Sequence, residues 1–117
     1  MEKSVFAMEC KNYEFDEVYL RMKQLLFQNH LLDFVKEGMT IAIKANLVSA
    51  SKPDHAVVTH PIVVASLCKI LLEMNVKVVV GDSPGGLFND AVLNNIYHKT
   101  NMDMVCQYGA QLNHNYK

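Results

Sequence analysis

Lys44 and Asn46 stand two positions apart at the end of an apolar, β-branched run, TIAIKAN over residues 40–46. On an extended chain, residues two apart project to the same face, so an ammonium and a carboxamide share one face near the strand's end. A lysine that closes a buried strand must reach water, a carboxylate or an anionic ligand, because burying it unpaired is costly. Two partners fit: Asp82 from a neighbouring strand end, or a small anionic ligand to which Lys44 gives charge and Asn46 hydrogen bonds. The second chemistry-bearing stretch is Asp82-Ser83-Pro84-Gly85-Gly86, between an apolar run and a helical one. Loops at that place cradle phosphates, and Gly85 and Gly86 would let the backbone come close to a ligand. The stretch is neither a dinucleotide-binding glycine pattern nor a Walker loop, and Pro84 removes one amide donor. It reads equally as a tight strand-to-helix turn in which Asp82 fixes the loop amides.

His60, just before Pro61, falls at a helix start. A neutral imidazole there either polarises a ligand or serves as a cap and packing contact. Ser49, Ser51 and Thr59 make the preceding loop rich in hydroxyls, which suits anion or sugar binding and also suits a solvated loop. The expected ligand-binding set is therefore Lys44, Asn46, Ser49, Thr59, His60, Asp82, Ser83, Gly85 and Gly86, with Lys44, His60 and Asp82 as candidates for proton transfer or orientation. No metal site is expected. Cys10, Cys68 and Cys106 contain no Cys-x-x-Cys pair, and His30, His55, His98 and His114 show no ligand spacing.

The elements that must position these residues follow from periodicity. Residues 4–10 (SVFAMEC) carry a partial period of two and read as a first strand. Over residues 14–35 the apolar positions Phe15, Val18, Tyr19, Met22, Leu25, Leu26 and Leu32 keep helical spacing, with Asp16 and Glu17 near the start and Lys36 before Gly38. Residues 40–46 form the second strand, and residues 46–59 a long loop with Pro53-Asp54 as a turn signal. Pro61 opens a helix to about residue 74, since proline is tolerated in the first turn. That helix is apolar nearly all round, with Ser66, Lys69 and Glu73 as polar relief, so it is expected to be buried on more than one side. The partner on the extra side would be a second copy of the chain or a missing C-terminal domain. Residues 76–81 (VKVVVG) read as a doubly buried strand. Residues 89–99 read as a helix, residues 103–108 as a short one ending at Gly109, and residues 111–114 as the start of a last strand.

This β-α-β-α-β-α order gives an α/β domain over residues 1–117, a three-layer α/β/α arrangement with a mostly parallel sheet of three to four strands. Ligands in such sheets bind outside the strand carboxyl ends. Both unusual stretches, residues 44–59 and 81–86, begin there. The chain has 117 residues, a formal net charge of −1 and no long apolar span, which points away from nucleic acid and membrane. The opening Met1-Glu2-Lys3-Ser4 lacks an export signal, so a cytoplasmic location is expected.

The blocks Ile43-Lys44-Ala45-Asn46-Leu47, Ser51-Lys52-Pro53, Ala56-Val57-Val58-Thr59-His60-Pro61 and Val80-Gly81-Asp82-Ser83-Pro84-Gly85-Gly86 resemble, in order and spacing, the family known as domain of unknown function 362. The resemblance implies an α/β protein with recurring polar positions at Lys44, Asn46, Thr59, His60, Asp82 and Ser83. It also implies that this chain is the N-terminal part of a longer architecture, in which many members carry a ferredoxin-like four-cysteine segment for a 4Fe-4S cluster. No such cysteines are present here, so no cofactor is expected on this chain itself. The family's usual proline is replaced by Ala45, which leaves the strand exit looser. Three functional readings result: part of a ligand crevice in a redox-linked iron–sulfur-type protein, a binding or assembly module, or an enzyme of small phosphorylated substrates using Gly85 and Gly86 as a phosphate cradle.

Overall fold

A computed structural model of the chain describes residues 4–47, 58–81 and 90–113. In chain order these are α1 (Phe15–Gln28), β1 (Thr40–Lys44), α2 (Pro61–Leu72), β2 (Lys77–Gly81), α3 (Asp90–Lys99), a 3-10 helix (Met102–Tyr108) and β3 (Gln111–Leu112). The three strands are parallel and lie in the order β1-β2-β3, with Ile41 opposite Val78, Ile43 opposite Val80 and Val80 opposite Leu112. The α/β class and the parallel sheet are as the sequence predicts.

Side-chain alternation decides what each sheet face does. Ile41, Ile43, Val78 and Val80 point to one face and join the core, whereas Thr40, Ala42, Lys44 and Lys77 on the other face are exposed. Strand order that follows chain order, joined by right-handed crossovers, sends every connection to the same side of the sheet. The described helices accordingly gather on one face. A second helical layer, which the three-layer reading expects, is not among the described residues.

Helix α2 is the hub. Val64, Ala65, Ser66, Cys68, Ile70 and Leu71 are all buried, and the helix packs against α1, β2 and the 3-10 helix. This accounts for its nearly all-apolar surface within the chain itself. Its one deeply buried hydroxyl, on Ser66, donates to the Ile62 carbonyl at 2.7 Å, so burial leaves no polar group unpaired there. Across the α1–α2 contact, Lys69 Nζ sits 4.6 Å from the centre of the Tyr19 ring and 5.6 Å from that of Phe15. The Tyr19 hydroxyl donates to the carboxylate of Glu73, the C-cap of α2, so Lys69 and Glu73 are both spent on holding α1.

Three sequence expectations are corrected. Residues 4–10 form no regular element and pair with no strand among the described residues, and Val5 is 97% exposed. Alternation supplies a face, but a strand also needs a partner edge, and the period of two in SVFAMEC is only partial. Helix α1 stops at Gln28 instead of running to Val35. The Asn29 side chain donates to the Leu25 carbonyl at 2.8 Å and His30 turns left-handed at φ 56°, which breaks the helical path. Leu32 and Val35 still reach the core, from turns that keep a helix-like spacing. The segment before Gly109 is a 3-10 helix rather than an α-helix, closed by Gly109 at φ 92°.

Candidate functional site at the strand carboxyl ends

Beyond Lys44 the alternation of β1 continues: Ala45 and Leu47 are buried, while Lys44 and Asn46 are exposed on the open face. The shared face inferred from spacing is therefore present. The Ala45 amide donates to the Gly81 carbonyl at 2.9 Å, extending the β1–β2 ladder past its formal end. A small residue suffices at position 45 because the backbone, anchored by this bond and by buried Leu47, fixes the exit without a proline.

Thr59 closes the exit from the other side. Its hydroxyl accepts from the Asn46 amide at 2.8 Å, and its own amide donates to the Asn46 carbonyl at 2.9 Å. This reciprocal pair ties the strand end to the start of α2 and leaves the Asn46 side chain on the outer face. Asn46 and Thr59 are thus brought into direct contact, with His60 the next residue along.

His60 is the N-cap of α2. Its Nδ1 accepts from the Ile62 amide at 3.2 Å, satisfying one of the helix's unpaired donors. The imidazole ring stacks on Tyr13 with centroids 3.8 Å apart and planes 5° from parallel. An accepting Nδ1 requires an unprotonated lone pair, so the ring is neutral with its proton on Nε2. Burial also disfavours the charged form and lowers its pKa. The geometry makes His60 a cap and packing residue.

The sign of the pH effect follows. With a folded-state pKa below the ordinary 6.5, the unfolded chain binds the proton more readily than the folded one. Stability contributed by neutral His60 is then full above about pH 6.5 and is lost as pH falls towards the lowered value. His60→Asn, which caps without titrating, is expected to keep stability at neutral pH. It should also flatten the part of the urea-midpoint-against-pH curve that the wild type loses below about pH 6.5. Identical curves for the two proteins would show that His60 does not cap in solution.

The carboxyl end of β2 is Gly81, and here the site gains a residue that sequence reasoning passed over. Asn113, just beyond β3, donates its amide to the Val80 carbonyl at 2.7 Å, and its own carbonyl accepts from the Tyr97 hydroxyl. A Cβ on Gly81 would lie 2.8 Å from Asn113 Cβ and 3.4 Å from Nδ2. The glycine is therefore what lets the Asn113 side chain lie over the end of β2. Reading residues 111–114 as a strand start was the available signal, since parallel strands in one sheet bring their carboxyl ends together. Ser49, Asp82, Ser83, Gly85 and Gly86 lie outside the described residues, as does any pairing of Lys44 with Asp82.

The cysteines offer no ligand set. Cys68 is fully buried and its thiol is pushed up to about 12 by desolvation first and by nearby Cys106 second, so it resists forming the thiolate that metals need. Cys10 is exposed and donates its thiol to the Asn12 carbonyl. Among the described residues, no three or more His, Cys, Asp or Glu side chains converge to hold a metal.

The family model described as "Domain of unknown function (DUF362)" matches residues 41–115, from β1 through β3. The chain belongs to this family. The DUF362 match thus spans the whole sheet and the Lys44–Asn46 exit, and leaves out α1. A curated relative, "Thylakoid-associated protein sll1697" of Synechocystis sp., is 32% identical over 85 residues, covering 72% of this chain and 26% of that protein. The matched stretch therefore spans about a quarter of that relative's length. No solved structure gives a match. No helix among the described residues is long and apolar enough to cross a membrane.

Proposed function

We propose that this DUF362 domain presents part of a crevice for a small carboxylate- or phosphate-bearing ligand, at the carboxyl ends of its parallel strands. The carrying observation is that Lys44 and Asn46 share the open face at the exit of β1, held there by the Thr59 clamp and the buried side chains of Ala45 and Leu47. Lys44 would supply charge, Asn46 and Asn113 hydrogen bonds. Asp82 and Ser83, recurring polar positions of the family, would contribute from the next strand end. His60 would orient the start of α2 in this scheme, in place of the proton-transfer role open to it on sequence alone.

The finer proposal is that this crevice serves a redox-linked protein of iron–sulfur type, in keeping with the longer architecture of the family. The residues of this chain do not fit a cluster: its cysteines are scattered, and Cys68 is held as a buried thiol. A cluster would belong to another part of that architecture. The near-neutral charge supports a reading with neither nucleic acid nor membrane as partner. Cytoplasmic placement is a separate proposal, and fractionation of the native host would test it against the thylakoid association named for the relative. The assembly reading through residues 61–74 has less support, because α2 spends its apolar surface inside the chain.

Thermal unfolding in inorganic phosphate, and separately in malonate, tests the crevice. Binding to the folded state alone raises Tm with ligand concentration. The expected result is a rise in at least one of the two that is absent in Lys44→Ala. Equal rises in wild type and variant would refute the assignment of Lys44.

A further inference from the structure

A second cleft lies between the segment before α1 and helices α1 and α2. It has a volume of about 420 Å³, within the range of small-molecule sites. Met8, Val18, Met22, Leu25 and Val63 form its apolar walls. Met8, the one half-buried side chain of residues 4–10, lies against the helices and becomes a wall. Two methionines in one wall give a surface that adapts to different apolar shapes.

The charged side chains that line this cleft, among the described residues, are of one sign. Lys11 and Arg21 line it, and no carboxylate does among the described residues, Glu17 standing behind Arg21 as its partner. Lys11 makes no ion pair among the described residues. Arg21 uses only its Nε, in a 3.1 Å bond to Glu17 Oε1, so the two terminal nitrogens of its guanidinium remain available as donors. A planar guanidinium fork beside an apolar wall is suited to a carboxylate on an apolar body. Tyr13, also in the lining, offers its ring at the margin and is held in place by its stack on His60.

We propose that this cleft binds a small amphiphilic carboxylate, its apolar body over Met8, Met22, Leu25 and Val63 and its carboxylate on Arg21 and Lys11. The cleft shares no lining side chain with the strand-end crevice, and the Tyr13–His60 stack is where the two meet.

Calorimetric titration of the full chain with octanoate, and in parallel with 1-octanol, tests this. One octanoate per chain is expected to bind, with 1-octanol weaker by about tenfold because it lacks the charge-assisted bonds. The double substitution K11Q/R21Q should bring octanoate down to the level of octanol and leave octanol unchanged. Met8→Trp, placed on the unpaired segment where it need not disturb helix packing, should fill the cleft and remove both. Phe34→Ser, on an exposed residue outside the cleft, should alter neither. No binding of octanoate at millimolar concentration overturns the proposal. So does octanoate binding that survives K11Q/R21Q, or that survives Met8→Trp in a variant with wild-type circular dichroism.

Discussion

Leu47→Ala is expected to cost about 2–5 kcal/mol of stability, the usual range for truncating a buried leucine. Leu47 is 1% exposed and belongs to the core cluster, yet it sits three residues past Lys44, at the exit of β1. Its truncation removes apolar contacts and leaves a cavity beneath the backbone that carries Lys44 and Asn46. The effect should therefore appear twice: as a fall in the urea midpoint, and as faster amide hydrogen exchange at Asn46 and Thr59, whose reciprocal bonds depend on that backbone. A loss below about 1 kcal/mol would mean that the site can collapse freely, and that Leu47 does not anchor the strand exit.

Gly81→Ala is the second large effect, and its cause is crowding. The added methyl would stand 2.8 Å from Asn113 Cβ, a distance that real side chains do not tolerate. Asn113 Cβ is no mobile tip, because the Asn113 backbone is pinned by the bond from its amide to Val80 and by the bond its carbonyl accepts from Tyr97. Relief must come from parting β3 from β2, which share only the pairs Val79 with Gln111 and Val80 with Leu112. Over-packing of this kind costs about 1–3 kcal/mol. The double variant Gly81→Ala with Asn113→Gly is expected to recover part of that loss, since it vacates the space in dispute. Gly81→Ala at wild-type stability, measured by urea unfolding, would show that Asn113 does not lie over the end of β2 in solution.

The pattern of what could be read from sequence has a physical basis. The Val run of β2, the shared face of Lys44 and Asn46, and the proline-opened α2 are local properties: dihedral preference, side-chain period and capping chemistry decide them within a few residues. Residues 4–10 failed as a strand because pairing is not local, and no period can name the edge that would accept them. Helix α1 ended early through one side-chain bond, Asn29 to Leu25, that helical spacing does not register, while Leu32 and Val35 kept the apolar rhythm from turns. At the site, Lys44, Asn46, Thr59 and His60 were all singled out, but only contacts separate their roles: Thr59 clamps, His60 caps, and Lys44 and Asn46 face outward. Asn113 was missed because its relation to Gly81 spans more than thirty residues of chain and arises only when β3 joins the sheet.

Among the described residues, helices cover the sheet on one face only. Parallel sheets are ordinarily covered on both faces, and here Thr40, Ala42, Lys44 and Asn46 stand on the exposed one. The crevice proposed at the strand ends would be approached from that face.

The most direct measurement is nuclear magnetic resonance mapping of backbone amides in the full chain during titration with inorganic phosphate and, separately, malonate. At least one of the two should move the amides of Lys44, Ala45, Asn46, Gly81 and Asn113 together along a single saturable curve. Lys44→Ala should weaken that curve by roughly tenfold or more, as loss of a hydrogen bond to a charged group implies. Shifts confined to other parts of the chain, or an unchanged curve in Lys44→Ala, would contradict a ligand crevice at the strand carboxyl ends.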